Sequence, residues 1–201
     1  MNRAVVFDLG SVLADPAPLY PRIGQILGVA PEQVAEVVWI HRRPYDQGLP
    51  DRDYWRRTLD ELDLTVDLED CLPRLVAADL ETWSVIRPAA QAILVDLRQN
   101  GVPTAILSNA PLSFAQAAGG FAYSALVDQA FYSAELGLAK PDPAIYHHVE
   151  TALGLAPDQI WFVDDRSENV DAAIDLGWHV HQWVDDASTR AWLIEAGFLT
   201  S

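Results

Sequence analysis

A chain of 201 residues, half of them hydrophobic, suffices for one ordinary domain with a modest insertion and a sizeable core. Its formal charge of −16 opposes nucleic-acid backbones and anionic bilayers, so the expected partner is a small molecule, with no nucleic acid, no membrane, and a monomer or homodimer in solution. Cys71 is the only cysteine, the opening apolar run stops at Asp8, and no stretch approaches the ~20 apolar residues of a membrane helix, so an intrachain disulfide is excluded and a cytoplasmic location is expected.

In chain order, Ala4–Leu9 is the first strand-like run, and it meets a carboxylate at Asp8. Residues 16–87 then carry helical patterns at Tyr20–Leu27, Pro31–Arg42, Asp51–Asp63 and Leu68–Thr82, with no convincing strand. Asp15–Pro16 and Arg87–Pro88 mark the edges of that segment. A helix over Ala89–Gln99 stops at Asn100–Gly101. The strand Pro103–Leu107 leads into Ser108–Asn109, and a weaker strand at Gln129–Tyr132 is followed by a loop, Ser133–Ala139, that ends at Lys140. Asp142 caps a helix over Pro143–Leu153, with proline at its first position and Gly154 at its end. The strand Gln159–Val163 runs into Asp164–Asp165, a helix spans Ser167–Leu176, and Trp178–Trp183 is the fifth strand. Such continuous apolar runs suit strands buried on both faces. Strand–helix alternation predicts an α/β, doubly wound parallel sheet over 1–15 and 88–201, with an all-helical insertion over 16–87.

In sheets of this kind ligands bind beyond the carboxyl ends of the strands. Asp8, Ser108, Lys140 and Asp164–Asp165 all fall there. Singly, each reads as a turn, cap or surface residue; together they converge from four distant places. Twelve of the 13 basic residues are arginine, and Lys140 is the only lysine, a compact point charge. Asp8 reads as a nucleophile or metal ligand. Asp164 and Asp165 suit a hard cation, and Lys140 and the Ser108 hydroxyl suit a phosphoryl oxygen.

The stretches FDLGSV, ILSNA, KPDPAIY and FVDDRSEN, in that order, resemble the four motifs of the haloacid dehalogenase superfamily. The resemblance spans the whole core, and the helical segment lies where such proteins carry a small cap. It implies a Rossmann-like core and Mg²⁺-dependent hydrolysis of a small phosphorylated metabolite through an aspartyl-phosphate. Asp8 would be nucleophile and magnesium ligand, with Asp164, Asp165 and the Gly10 carbonyl completing the metal site. Ser108, Asn109 and Lys140 would bind the phosphate, and Asn169 would support the site by orienting Lys140 or through water.

Family phosphatases usually carry a second aspartate where this chain has Gly10. Glycine keeps the carbonyl and loses the acid–base carboxyl, a group typically worth about 10²–10⁴ in rate. Leaving-group protonation must then come from elsewhere or matter little. Three readings follow: a phosphatase resembling FDLG-type sugar-phosphate members; a non-catalytic phospho-ligand-binding or regulatory protein; and a 2-haloacid dehalogenase, whose halide leaves without a proton.

In the insertion, Trp39, His41, Arg42, Arg43 and Tyr45 cluster before Gly48. Arg43 and Tyr45 are the expected substrate contacts, against the blander reading of Trp39 as interior packing and the arginines as a solvated face. His147 with His148, and His179 with His181, lack companions for a transition-metal site and read as structural. Trp161 and Trp178 read as core.

Overall fold

In the computed structural model, which describes residues 3–200, five strands form one parallel sheet. They are β1 (Ala4–Phe7), β2 (Thr104–Ser108), β3 (Gln129–Tyr132), β4 (Ile160–Asp164) and β5 (His179–Gln182), in the order β3-β2-β1-β4-β5. Val5 pairs with Thr104 on one side and Trp161 on the other, so β1 is the central strand. Every residue of β1 and β2 is buried. Successive side chains point to opposite faces: Val5 and Phe7 enter one apolar cluster, Val6 the other. Burial on both faces fails at the edges. Gln129 and Ala130 of β3 are exposed, and no residue of β5 is buried. An edge strand has a neighbour on one side only, so its residues keep part of their surface exposed.

Between β1 and α6 (Pro88–Gln99) lie α1 (Leu19–Leu27), α2 (Pro31–Val37), α3 (Arg42–Asp46), α4 (Asp51–Glu61) and α5 (Leu68–Trp83). The single helix expected over Pro31–Arg42 is two helices. Pro44 has no amide to bond the carbonyl of residue 40, and its ring would clash there, so α2 ends in a turn and α3 starts afresh. The Arg87 amide donates to the Leu13 carbonyl at 2.8 Å, tying the chain's exit from the sheet to its return. One apolar cluster runs from a face of the sheet into these helices, through Phe7, Leu13, Leu19, Tyr54 and Leu75.

The remaining helices are α7 (Leu112–Ala118), α8 (Ser133–Leu136), α9 (Pro143–Leu153), α10 (Ser167–Asp175) and α11 (Asp186–Glu195). The Asp142 carboxylate accepts the Ala144 amide at 2.9 Å, as expected of the cap. The expected loop Ser133–Ala139 opens instead with α8, which stops at Gly137 in the left-handed conformation, φ 66°. The Ser113 hydroxyl of α7 donates to Asp51 at 2.8 Å, and the Ser133 hydroxyl donates to the Asp46 carbonyl. The inserted helices therefore touch the molecule at the carboxyl ends of β2 and β3.

Candidate active site

Three adjacent strands each deliver one polar group at the same end of the sheet. Asp8 follows β1, Ser108 ends β2, and Asp164 ends β4. Lys140 arrives from the segment after α8. Its Nζ donates to Asp8 Oδ1 at 2.8 Å and to Asp164 Oδ2 at 2.6 Å, and its side chain is 1% exposed. The Asn169 amide donates to both oxygens of Asp164, at 2.9 and 3.1 Å, and the Arg166 backbone amide reaches Oδ1 at 2.9 Å. Asn169 thus orients Asp164, which in turn accepts from Lys140. The Asn109 side chain is engaged by the protein itself. Its Nδ2 donates to the Lys140 carbonyl and its Oδ1 accepts the Lys140 amide, both at 2.9 Å. It fixes the lysine's backbone and so acts as a positioning residue. Ser108 is buried beside them.

Carboxylate oxygens of Asp8, Asp164 and Asp165 all lie within 4.8 Å of one another. Three carboxylates against one ammonium leave an excess of negative charge, and an all-oxygen donor set fits a hard divalent cation such as Mg²⁺. Burial pushes the Asp8 carboxyl up to about 7; Lys140 pulls it down and Asp164 adds to the rise. Burial opposes the charge on Lys140, but Asp164 and Asp8 outweigh it and hold the ammonium above its ordinary value. Burial, then Asp164, raises Asp165, which the Ser11 side chain opposes by a hydrogen bond. Ser11 sits at φ 61°, a conformation that costs a non-glycine residue about 1–2 kcal/mol. Its carbonyl is held by Arg87 Nη1 at 2.7 Å, and Arg87 in turn pairs with Asp186.

The Gly10 carbonyl accepts the Val12 amide at 2.7 Å; a carbonyl has two lone pairs, so one stays available to a cation. Gly10 is outside the left-handed region, and a Cβ there would meet only Trp83 Cζ3 at 3.8 Å and Asp8 Oδ2 at 4.0 Å. Both are ordinary contacts.

The two expected substrate contacts in the inserted helices differ in exposure. Tyr45 is buried, stacked on Tyr54 at 4.0 Å, with its hydroxyl donated to Asp51 at 2.6 Å. Arg43 is exposed and makes no ion pair among the described residues. Arg42 turns inward instead: Nε bonds Asp46 at 2.9 Å, Nη1 bonds Asp79 at 3.0 and 3.1 Å, and the guanidinium lies 5.7 Å from the Trp83 ring. The Trp83 indole N–H donates to the same Asp79 at 2.8 Å. Trp39, expected in the interior, is 41% exposed and meets Trp83 edge-on. Asp46, Asp79 and Trp83 carried no motif; the i, i+4 spacing of Arg42 and Asp46 was the one available signal. His147 pairs with Glu150, His179 stacks on Trp161, and His181 stacks on Trp192. No helix among the described residues is long and apolar enough to cross a membrane.

A family model described as haloacid dehalogenase-like hydrolase matches residues 2–177. The chain is 27% identical over 183 residues to hexitol phosphatase A of Escherichia coli (strain K12), covering 89% of this chain and 81% of that protein. It is 28% identical over 189 residues to (S)-2-haloacid dehalogenase 4A of Burkholderia cepacia, covering 88% of this chain and 80% of that protein. An L-2-haloacid dehalogenase from Xanthobacter autotrophicus, solved with chloropropionic acid covalently bound, shares the fold with a TM-score of 0.77 at 22% identity over 98% of this chain and 84% of that one. With that family model spanning most of its length, the chain belongs to the haloacid dehalogenase-like hydrolases.

Proposed function

We propose that the protein is a Mg²⁺-dependent phosphatase acting on a small phosphate monoester, such as a sugar phosphate. The observation that carries this reading is the convergence of Asp8, Asp164 and Asp165 within 4.8 Å. Displacement of halide from carbon needs no cation, so three carboxylates at one point favour phosphoryl transfer. The phosphate lodges against the Lys140 ammonium and the Ser108 hydroxyl. Asp8 attacks phosphorus, the ester oxygen departs, and water later releases the aspartyl-phosphate. Lys140 favours the ionised nucleophile against the effect of burial and offsets charge on the phosphoryl oxygens. Asn109 fixes Lys140 from its backbone side, and Asn169 fixes Asp164. Mg²⁺, held by Asp8, Asp164, Asp165 and the Gly10 carbonyl, would neutralise the transferring oxygens.

The second reading, a 2-haloacid dehalogenase, is favoured by Gly10 and by the dehalogenase relatives. A panel of phosphorylated sugars and nitrophenyl phosphate, run with Mg²⁺ and with chelator beside 2-chloropropionate, separates the readings. Phosphate release that requires Mg²⁺ supports the proposal. Halide release undiminished by chelator replaces it with the second, and phosphate binding without turnover would make the protein a non-catalytic binder.

A further inference from the structure

Under the phosphatase reading, Lys140 and Ser108 meet the phosphate, and the alcohol half of the ester needs a wall of its own. Asp8 sets where that wall must be. Its Oδ1 accepts from Lys140 at 2.8 Å, while its Oδ2 makes no side-chain hydrogen bond among the described residues. A Cβ on Gly10 would stand 4.0 Å from that Oδ2 and 3.8 Å from Trp83 Cζ3. The nucleophile's second oxygen and the edge of the Trp83 ring therefore border one gap, and Gly10 puts no side chain into it.

The orientation of the indole decides what it offers there. Its N–H donates to Asp79 Oδ1 at 2.8 Å, and Arg42 Nη1 holds both oxygens of that carboxylate, at 3.0 and 3.1 Å. Cζ3 belongs to the benzo ring, across the indole from the N–H, so the side toward Gly10 is hydrocarbon alone. Trp83 is buried at the end of α5. Trp39 meets it edge-on, with 6.4 Å between ring centroids, and donates its own N–H to the Tyr20 hydroxyl at 3.2 Å. Two indoles with both N–H groups engaged leave nothing for a hydroxyl to bond. A hydroxyl turned against them would lose water and gain no partner. Carbon–hydrogen surface gains by the same move.

We propose that Trp83 is the residue that selects the leaving group, by contact between its benzo edge and the alcohol of the ester. The favoured class is a phosphate monoester whose alcohol turns a carbon–hydrogen surface to the ring: an aromatic or alkyl group, or the C–H face of a cyclic sugar. Open-chain polyols, with hydroxyls along the chain, are the disfavoured class. This selection rests on the phosphatase reading and concerns the alcohol alone. It comes from the inserted helices, since Trp83 ends α5, while the phosphate contacts Lys140 and Ser108 come from the sheet and the segment after α8.

The test compares benzyl phosphate with glycerol phosphate by kcat/KM in the presence of Mg²⁺. Both are esters of primary alcohols, so the proton demand at the leaving oxygen is alike. Inorganic phosphate, which has no alcohol, is the competitive inhibitor. The native protein should prefer the benzyl ester by about tenfold or more. Trp83→Ala should remove that preference through loss of the benzyl ester, with inhibition by phosphate staying within about threefold of native. Trp83→Phe keeps a ring but draws its edge back from the gap, and should lower the preference by about threefold. If Trp83→Ala does not fold, Trp83→Phe and the native preference decide. Native protein that treats the two esters alike or prefers glycerol phosphate would overturn the proposal, as would equal losses on both esters in either variant. Native protein that releases no phosphate from any ester with Mg²⁺ would remove the phosphatase reading itself, whereas turnover without the preference removes only the role of Trp83.

Discussion

Replacing Lys140 with methionine removes the one positive side chain bonded to the carboxylate cluster while roughly keeping its buried volume. Nζ is 2.8 Å from Asp8 and 2.6 Å from Asp164, and the carboxylates it separates lie within 4.8 Å of each other. Two like charges at that distance, with an effective dielectric near 20, repel by about 3 kcal/mol. Breaking a buried ion pair by deleting one partner costs about 3–5 kcal/mol. For a chain of this size each kcal/mol moves Tm by about 2–4 °C, so metal-free Lys140→Met should melt roughly 6–20 °C below the native protein. The deficit has a sign in pH. Without the ammonium, Asp8 rises further above its unfolded value. The stability carried by a raised carboxyl is fully present below the unfolded pKa and is lost as pH rises through the folded one. The deficit should therefore be larger at pH 8 than at pH 6, and Mg²⁺ should shrink it by replacing the lost charge. Calorimetry at both pH values, with chelator and with Mg²⁺, checks this. Lys140→Arg should not restore turnover, because a planar guanidinium does not fit the place of a point charge. An unchanged melting temperature, or native kinetics in the arginine variant, would refute the role given to Lys140.

Asp8→Asn should abolish phosphate release, since an amide is a poor nucleophile and a poor ligand for Mg²⁺; turnover within tenfold of native would remove Asp8 from its place. Protons should compete with Mg²⁺ for Asp8, whose carboxyl sits near 7 without metal. Calorimetric Mg²⁺ affinity should then weaken by up to about tenfold per pH unit below 7 and level off above it, and an affinity flat from pH 5 to 8 would contradict this. Gly10→Asp, where a Cβ meets only ordinary contacts, should raise the alkyl-ester rate at least about tenfold; a folded variant with no gain would mean that proton supply does not limit the step.

What the sequence made legible was whatever a strand presents at its own end. Asp8, Ser108 and Asp164 each close an apolar run, and parallel pairing carries such residues to one edge whatever their separation in the chain. Lys140 was legible because it is the only lysine. The roles of Asn109 and Asn169 were not, because their partners are a backbone 31 residues away and a carboxylate whose orientation only the fold sets. In the inserted helices the periodicity named the elements but not their inward faces. Arg42 and Arg43 are adjacent and chemically identical. Which of them turns inward depends on where α3 restarts beside Pro44, and Asp79, which receives Arg42, lies 37 residues on.

The glycine at position 10 is not explained by its backbone. Its φ is outside the left-handed region, and a Cβ there would meet nothing closer than 3.8 Å. The strained residue is its neighbour Ser11, held by Arg87. The missing carboxyl is therefore a matter of chemistry. The neighbouring space is bordered by the Trp83 ring, whose N–H is fixed by Asp79; Asp79 fixes Arg42, and Arg42 fixes Asp46. One chain of contacts thus runs from the place where the acid is absent into the inserted helices. A carboxyl at position 10 would travel with the sheet, whereas the Trp83 ring beside it belongs to the inserted helices.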